Sequence, residues 1–134
     1  MKLTRYRVAA ALGMLLLAAA CTKPMQKVEA SSYGWGPQKG VTLAQMRSTI
    51  EKTAQDLGWQ LSDVQPGSFT AKQEWGATKH NIVCGVVYDE KSFSIRYKDS
   101  KNMSFNGSSI HHTYNDMVTA LRDNIKTNVS KLTP

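Results

Sequence analysis

From Thr42 onwards the apolar residues follow a helical period, then an alternating one, then a helical one again. Leu43, Met46, Ile50, Ala54 and Leu57 recur at three- and four-residue spacing, which lays them along one face of a helix. Thr42 ahead of this stripe and Gln45 three residues on form a capping box, in which each side chain takes a backbone N–H that the first turn leaves free. Gly58 supplies the left-handed residue that ends the helix, and Trp59 is placed to fold back on its last turn. A short strand, WQLSDV, comes next, and QPGS after it fits a type II turn with Pro66 and Gly67 at its centre.

Three alternating segments follow. SFTAKQEW sets Phe69, Ala71, Gln73 and Trp75 on one face, HNIVCGVVY sets Ile82, Cys84, Val86 and Tyr88 there, and FSIRYK sets Phe93, Ile95 and Tyr97. If tight turns fix the register, Tyr88 faces Phe93, Val86 lies between Phe69 and Ile95, and Cys84 lies between Ala71 and Tyr97. The chain closes with IHHTYNDMVTALRDNIKTNVSKL, a helix capped by Ser108 or Ser109, whose apolar stripe is Ile110, Tyr114, Met117, Val118, Leu121, Ile125 and Leu132. The expected fold is α+β: an antiparallel meander of three to four strands with an N-terminal and a C-terminal helix packed on one face.

That register makes one sheet face fully apolar and turns Cys84 into a small buried hydrophobe. The other face places Val83 between Lys72 and Lys98, Gly85 between Thr70 and Arg96, and Val87 between Ser68 and Ser94. Lys72, Val83, Val87, Arg96 and Lys98 therefore form an apolar strip with a basic rim, a candidate binding surface beside the plainer reading of a solvated sheet face.

The paired histidines invite a catalytic or metal reading. Stepping ~100° per residue sets His111 at the border of the buried stripe and His112 on the solvent side, so the two do not converge. Their partners at helical metal spacing are Asn115 and Asp116, and His80 lies apart at a strand turn. No cofactor or metal is implied and no catalytic residue stands out. His111 is instead expected to tie the helix to the preceding loop, in a structural polar cluster with Asp99, Ser100, Tyr114 and Asn115; Asn102 is a further expected partner of its ring.

The first twenty residues change the setting. Lys2, Arg5 and Arg7 precede an apolar run from Val8 to Ala20 that is too short for the ~20 residues a membrane-spanning helix needs. LLLAAAC resembles the lipobox of bacterial lipoproteins, which implies a signal peptide over residues 1–20 and a diacylglycerol- and palmitate-bearing Cys21. Thr22 stands where the sorting rule of enterobacterial lipoproteins places an inner-membrane aspartate, so the outer membrane, on its periplasmic side, is favoured. Residues 21–40, rich in Gly, Pro, Ser and Lys, read as a flexible tether, with Tyr33 and Trp35 as a clasp on a single domain over 41–134.

Loss of three of the seventeen basic residues with the signal reduces the net charge from +7 to +4, and an envelope protein has little occasion to meet nucleic acid. Acylation of Cys21 leaves Cys84 alone, so no internal disulfide forms.

The segments SIRYKDSKNM and IHHTYNDMVTAL, with Gly58 and Trp59, resemble a group of short uncharacterised bacterial lipoproteins that carry Y.DS.NL followed by IH..YN.WV..L. Met117 stands where that group has tryptophan. The resemblance implies the fold and the compartment and attaches no reaction. The expected function is a non-catalytic binding or assembly module, membrane-held through its N-terminal lipid, for an envelope protein or an anionic glycan. The alternatives are a small inhibitor of a lytic envelope enzyme, and a hydrolase or metal protein using the His111 region.

Overall fold

A computed structural model describes residues 21–33 and 40–134; the expected signal segment and Trp35 lie outside the described residues. The elements are β1 (Thr22–Pro24), β2 (Val28–Ser32), α1 (Leu43–Asp56), β3 (Gln60–Gln65), β4 (Ser68–Trp75), β5 (His80–Tyr88), β6 (Ser92–Lys101), β7 (Ser109–His111) and α2 (His112–Ser130). The fold is α+β, and its main sheet has five strands in the order β2-β6-β5-β4-β3, all pairings antiparallel. β1 and β7 make a separate two-stranded sheet. The expectation of three to four strands is thus corrected upwards.

The meander follows from its alternation. Phe69 faces Val86, Ala71 faces Cys84, Val86 faces Ile95, Cys84 faces Tyr97 and Tyr88 faces Phe93. This inward row merges with Met46, Ile50 and Ala54 of α1 and Tyr114, Val118, Leu121, Ile125 and Val129 of α2 in one core. At ~25 cal/mol per Å² of apolar surface, burial of these side chains is the main stabilising term.

α1 begins with the capping box, Gln45 N–H donating to the Thr42 hydroxyl and the Gln45 side-chain oxygen accepting from Thr42 N–H. It ends with Gly58 at φ +88°, where Gly58 N–H reaches Gln55 O at 2.9 Å and Trp59 N–H reaches Ala54 O at 3.0 Å. Gln73, on the inward row of β4, caps the same end by donating to Leu57 O at 2.7 Å. The α1 stripe is shifted from expectation: Leu43 is 37% exposed and Thr53 is buried. Thr53 satisfies its hydroxyl with Thr49 O and with the Asn128 amide of α2, which lets a polar group sit where the helices meet.

Within the segment read as a tether, residues 22–24 and 28–33 are held against the domain. β1 pairs with β7 and β2 adds an edge strand to β6, while Tyr33 is buried, stacks on Phe93 and donates to Asp89 O at 2.9 Å. Tyr33 is therefore the expected clasp. The start of α2 is corrected too: Ile110 is in β7 and His111, in place of Ser108 or Ser109, is the cap.

Candidate functional site

The outward face of the sheet is built around Gly85, which pairs with Thr70 on one side and Arg96 on the other. Val87 lies between Ser68 and Ser94 and is 52% exposed. Lys72 pairs with Val83, but the β5–β6 ladder shifts between Val83 and Cys84, so Val83 faces Asp99 and not Lys98. Simple alternation cannot register the extra residue of such a bulge. The shift has a consequence for Lys98. Its side chain lies over Gly85, where a Cβ would come within 3.3 Å of Lys98 Cδ, and its ammonium donates to the Thr70 hydroxyl at 3.0 Å.

A shallow depression of about 300 Å³ results, lined by Asp63, Ser68, Thr70, Gly85, Val87 and Lys98 among others. Arg96 and Lys98 are exposed, whereas the Lys72 ammonium sits 3.1 Å from the Glu74 carboxylate. Two of the three expected rim cations are thus presented to solvent with no acidic side chain in ion-pair contact among the described residues, and Lys72 is largely neutralised by its neighbour. The arrangement offers an apolar floor, hydroxyls, the Asp63 carboxylate on one side and the Arg96 and Lys98 cations on the other, so that an anionic group beside an apolar one would be held at the Arg96–Lys98 side.

The expected polar cluster resolves into separate local roles. The Asp99 carboxylate accepts from Ser100 N–H at 2.8 Å, and the Ser100 hydroxyl pairs with that of Tyr97 at 2.9 Å. The Tyr114 hydroxyl does not reach the 99–108 loop; it lies in the core 3.9 Å from Cys84 Sγ. His111 Nδ1 accepts from Thr113 N–H at 3.3 Å as the α2 cap, and the His111 backbone N–H donates to Met103 O at 2.7 Å. Neither Asp99, Ser100 nor Asn102 is the partner of its ring, because the cap conformation turns that ring towards the first turn of α2.

Asn115 turns the other way. Its side-chain oxygen accepts from Gln26 N–H at 2.7 Å and its amide donates to Pro24 O at 2.9 Å. No periodicity betrayed this contact, since its partners are main-chain groups of a segment with no apolar pattern.

The histidine rings at 111 and 112 are closer than helical stepping implies, with centroids 4.5 Å apart, because His111 is an extended cap residue and not a helical one. His112 Nδ1 sits 3.1 Å from the Asp116 carboxylate. His80 stacks on Trp75 and presents Nδ1 to Asn102 O at 3.3 Å. Among the described residues no group of three His, Cys, Asp or Glu side chains converges as a metal site. Burial pushes the Cys84 thiol up to about 12, so it stays protonated and is a poor nucleophile, and burial raises the Tyr114 hydroxyl as well.

No protein-family model matches this chain, and no curated protein matches it either.

Proposed function

We propose that the chain is a bacterial envelope lipoprotein, acylated at Cys21 and held at the periplasmic side of the outer membrane, whose domain is a non-catalytic binding or assembly module. The observation that carries the reading is the outer sheet face: a depression floored by Gly85 and Val87, with Arg96 and Lys98 exposed beside it. The lipobox-like run LLLAAAC ahead of Cys21 supports the compartment. A partner presenting a carboxylate or sulfate next to an apolar group, on an envelope protein or an anionic glycan, fits this face. The histidines support it indirectly, since His111 caps α2, His112 pairs with Asp116 and His80 stacks on Trp75.

The test is affinity recovery from cross-linked envelopes with Arg96→Glu and Lys98→Glu combined, and separately with Val87→Asp. Both variants alter exposed positions, so the melting temperature is expected to hold while partner recovery falls. Undiminished recovery of the same partner with both variants would remove this face from consideration.

A further inference from the structure

The chain leaves no slack between Cys21 and the folded domain. Cys21 O accepts from His112 N–H at 3.1 Å, at the first turn of α2. Thr22, Lys23 and Pro24 then pair in turn with His111, Ile110 and Ser109, and Met25 N–H donates to Ser108 O at 3.0 Å. The Asn115 side chain fastens Pro24 and Gln26 immediately afterwards. Cys21 itself is exposed.

The 102–108 loop is the next neighbour. His111 N–H donates to Met103 O and Asn106 N–H to Ser109 O, so the loop lies on the side of β7 away from β1. Segments joined by backbone hydrogen bonds run ~5 Å apart, which places Cys21 and this loop about 10 Å from each other. Within the loop Asn102, Ser104, Asn106, Gly107 and Ser108 are exposed polar or small residues, and Phe105 is an exposed aromatic among them, 39% accessible, its ring centroid 4.1 Å from that of Tyr97. Lys23, also exposed, sits on the β1 side.

We infer that this end of the domain, Cys21, Lys23 and the loop bearing Phe105, rests directly on the bilayer surface. The inference depends on acylation of Cys21, as proposed above. Acyl chains on a residue whose own carbonyl is bonded to α2, and whose next three residues are paired with β7, carry the surrounding surface to headgroup level. The aromatic ring on the neighbouring loop then meets the interface where such rings partition, and the Lys23 ammonium meets lipid phosphate. The 19 residues of α2 run ~28 Å away from Cys21 and carry Lys131 clear of the membrane. A partner of the outer sheet face is therefore captured within one domain height of the lipid.

The test uses the acylated full-length protein in phosphatidylethanolamine–phosphatidylglycerol vesicles that contain a headgroup-nitroxide lipid. Single bimane labels are placed at Asn106→Cys or Lys131→Cys, Cys84 being closed to the reagent. Quenching several-fold stronger at 106 than at 131 is expected. Insertion of about 20 Gly/Ser residues between Cys21 and Thr22, a coil of roughly 25 Å, is expected to abolish the difference. Equal, weak quenching at both positions, with the mass of the N-terminal peptide showing acyl groups on Cys21, overturns the resting geometry and leaves the anchor standing. A bare Cys21 in that mass measurement removes the anchor and the inference together.

Discussion

The side-chain amide of Asn115 grips the N-terminal segment at two main-chain points, donating to Pro24 O at 2.9 Å and accepting from Gln26 N–H at 2.7 Å. Because Gln26 N–H and Asn115 are partly buried, deleting the side chain leaves groups that water reaches only if the segment loosens. Asn115→Ala is predicted to cost ~1–2 kcal/mol in urea unfolding and to speed amide exchange at Met25 and Gln26. Asn115→Asp keeps the acceptor and loses the donor, so it should fall between. Unchanged exchange at Gln26 in the alanine variant would refute the clamp.

His111 and His112 are adjacent in sequence and unequal in role. His111 supplies the α2 cap through Nδ1, and its loss is predicted to cost ~1 kcal/mol, as cap deletions do. His112 pairs with Asp116 at side-chain exposures of 52% and 73%, where an ion pair adds at most ~0.5 kcal/mol. Thermal unfolding of the two alanine variants at neutral pH checks the ranking; equal losses would contradict it.

How far the sequence exposes this structure depends on the kind of signal each part emits. The β4–β5–β6 register was legible because a period of two and short turns leave one alignment that gathers the alternating apolar rows of the three strands on a single face, and Val86 between Phe69 and Ile95 is its outcome. The bulge that moves Asp99 opposite Val83 leaves no mark in that pattern. β1 and β2, TKP and VEASS, are short and mostly polar, and their hydrogen bonds go to edge groups of β7 and β6, so composition alone reads them as tether. In the same way Ser108 and Ser109 look like ordinary caps, but Ile110 is held in strand pairing opposite Lys23 and the capping falls to an imidazole. Of the candidate face, Gly85 between Thr70 and Arg96 was legible; the crossing of Lys98 over Gly85 depends on the bulge and was not.

Asp89 is predicted to give the turn before β6 an acid-sensitive component. Its carboxylate accepts from Lys91 N–H at 2.7 Å and Ser92 N–H at 2.9 Å, and these bonds hold its pKa below the ordinary carboxylate value of 3.8. A depressed folded-state pKa means that the contribution is complete above the unfolded value and is lost as pH falls through the lower folded one. Asp89→Ala should therefore be less stable than the native chain at pH 6, with the gap narrowing as pH drops below 3.8. A gap that stays constant down to pH 2 would assign the loss to something other than the ionised carboxylate.

Cys84 offers the sharpest check on the core. It lies between Ala71 and Tyr97 with no exposed surface, and burial raises its thiol from 9.0 to about 12. At pH 8 the thiolate fraction in the folded state is then about a thousandfold below that of the unfolded chain, before any steric exclusion is counted. Labelling of the Cys21→Ser chain by a maleimide is thus predicted to proceed only through unfolding, at a rate that rises with urea. The raised value also fixes the alkaline behaviour: stability from this group is intact below pH 9 and is lost as pH climbs towards 12, because the unfolded thiol ionises first. Between pH 9 and 10 the native chain should lose stability relative to Cys84→Ala. Modification at the rate of a free thiol in the absence of urea would place Cys84 at the surface and overturn the inward row of β5.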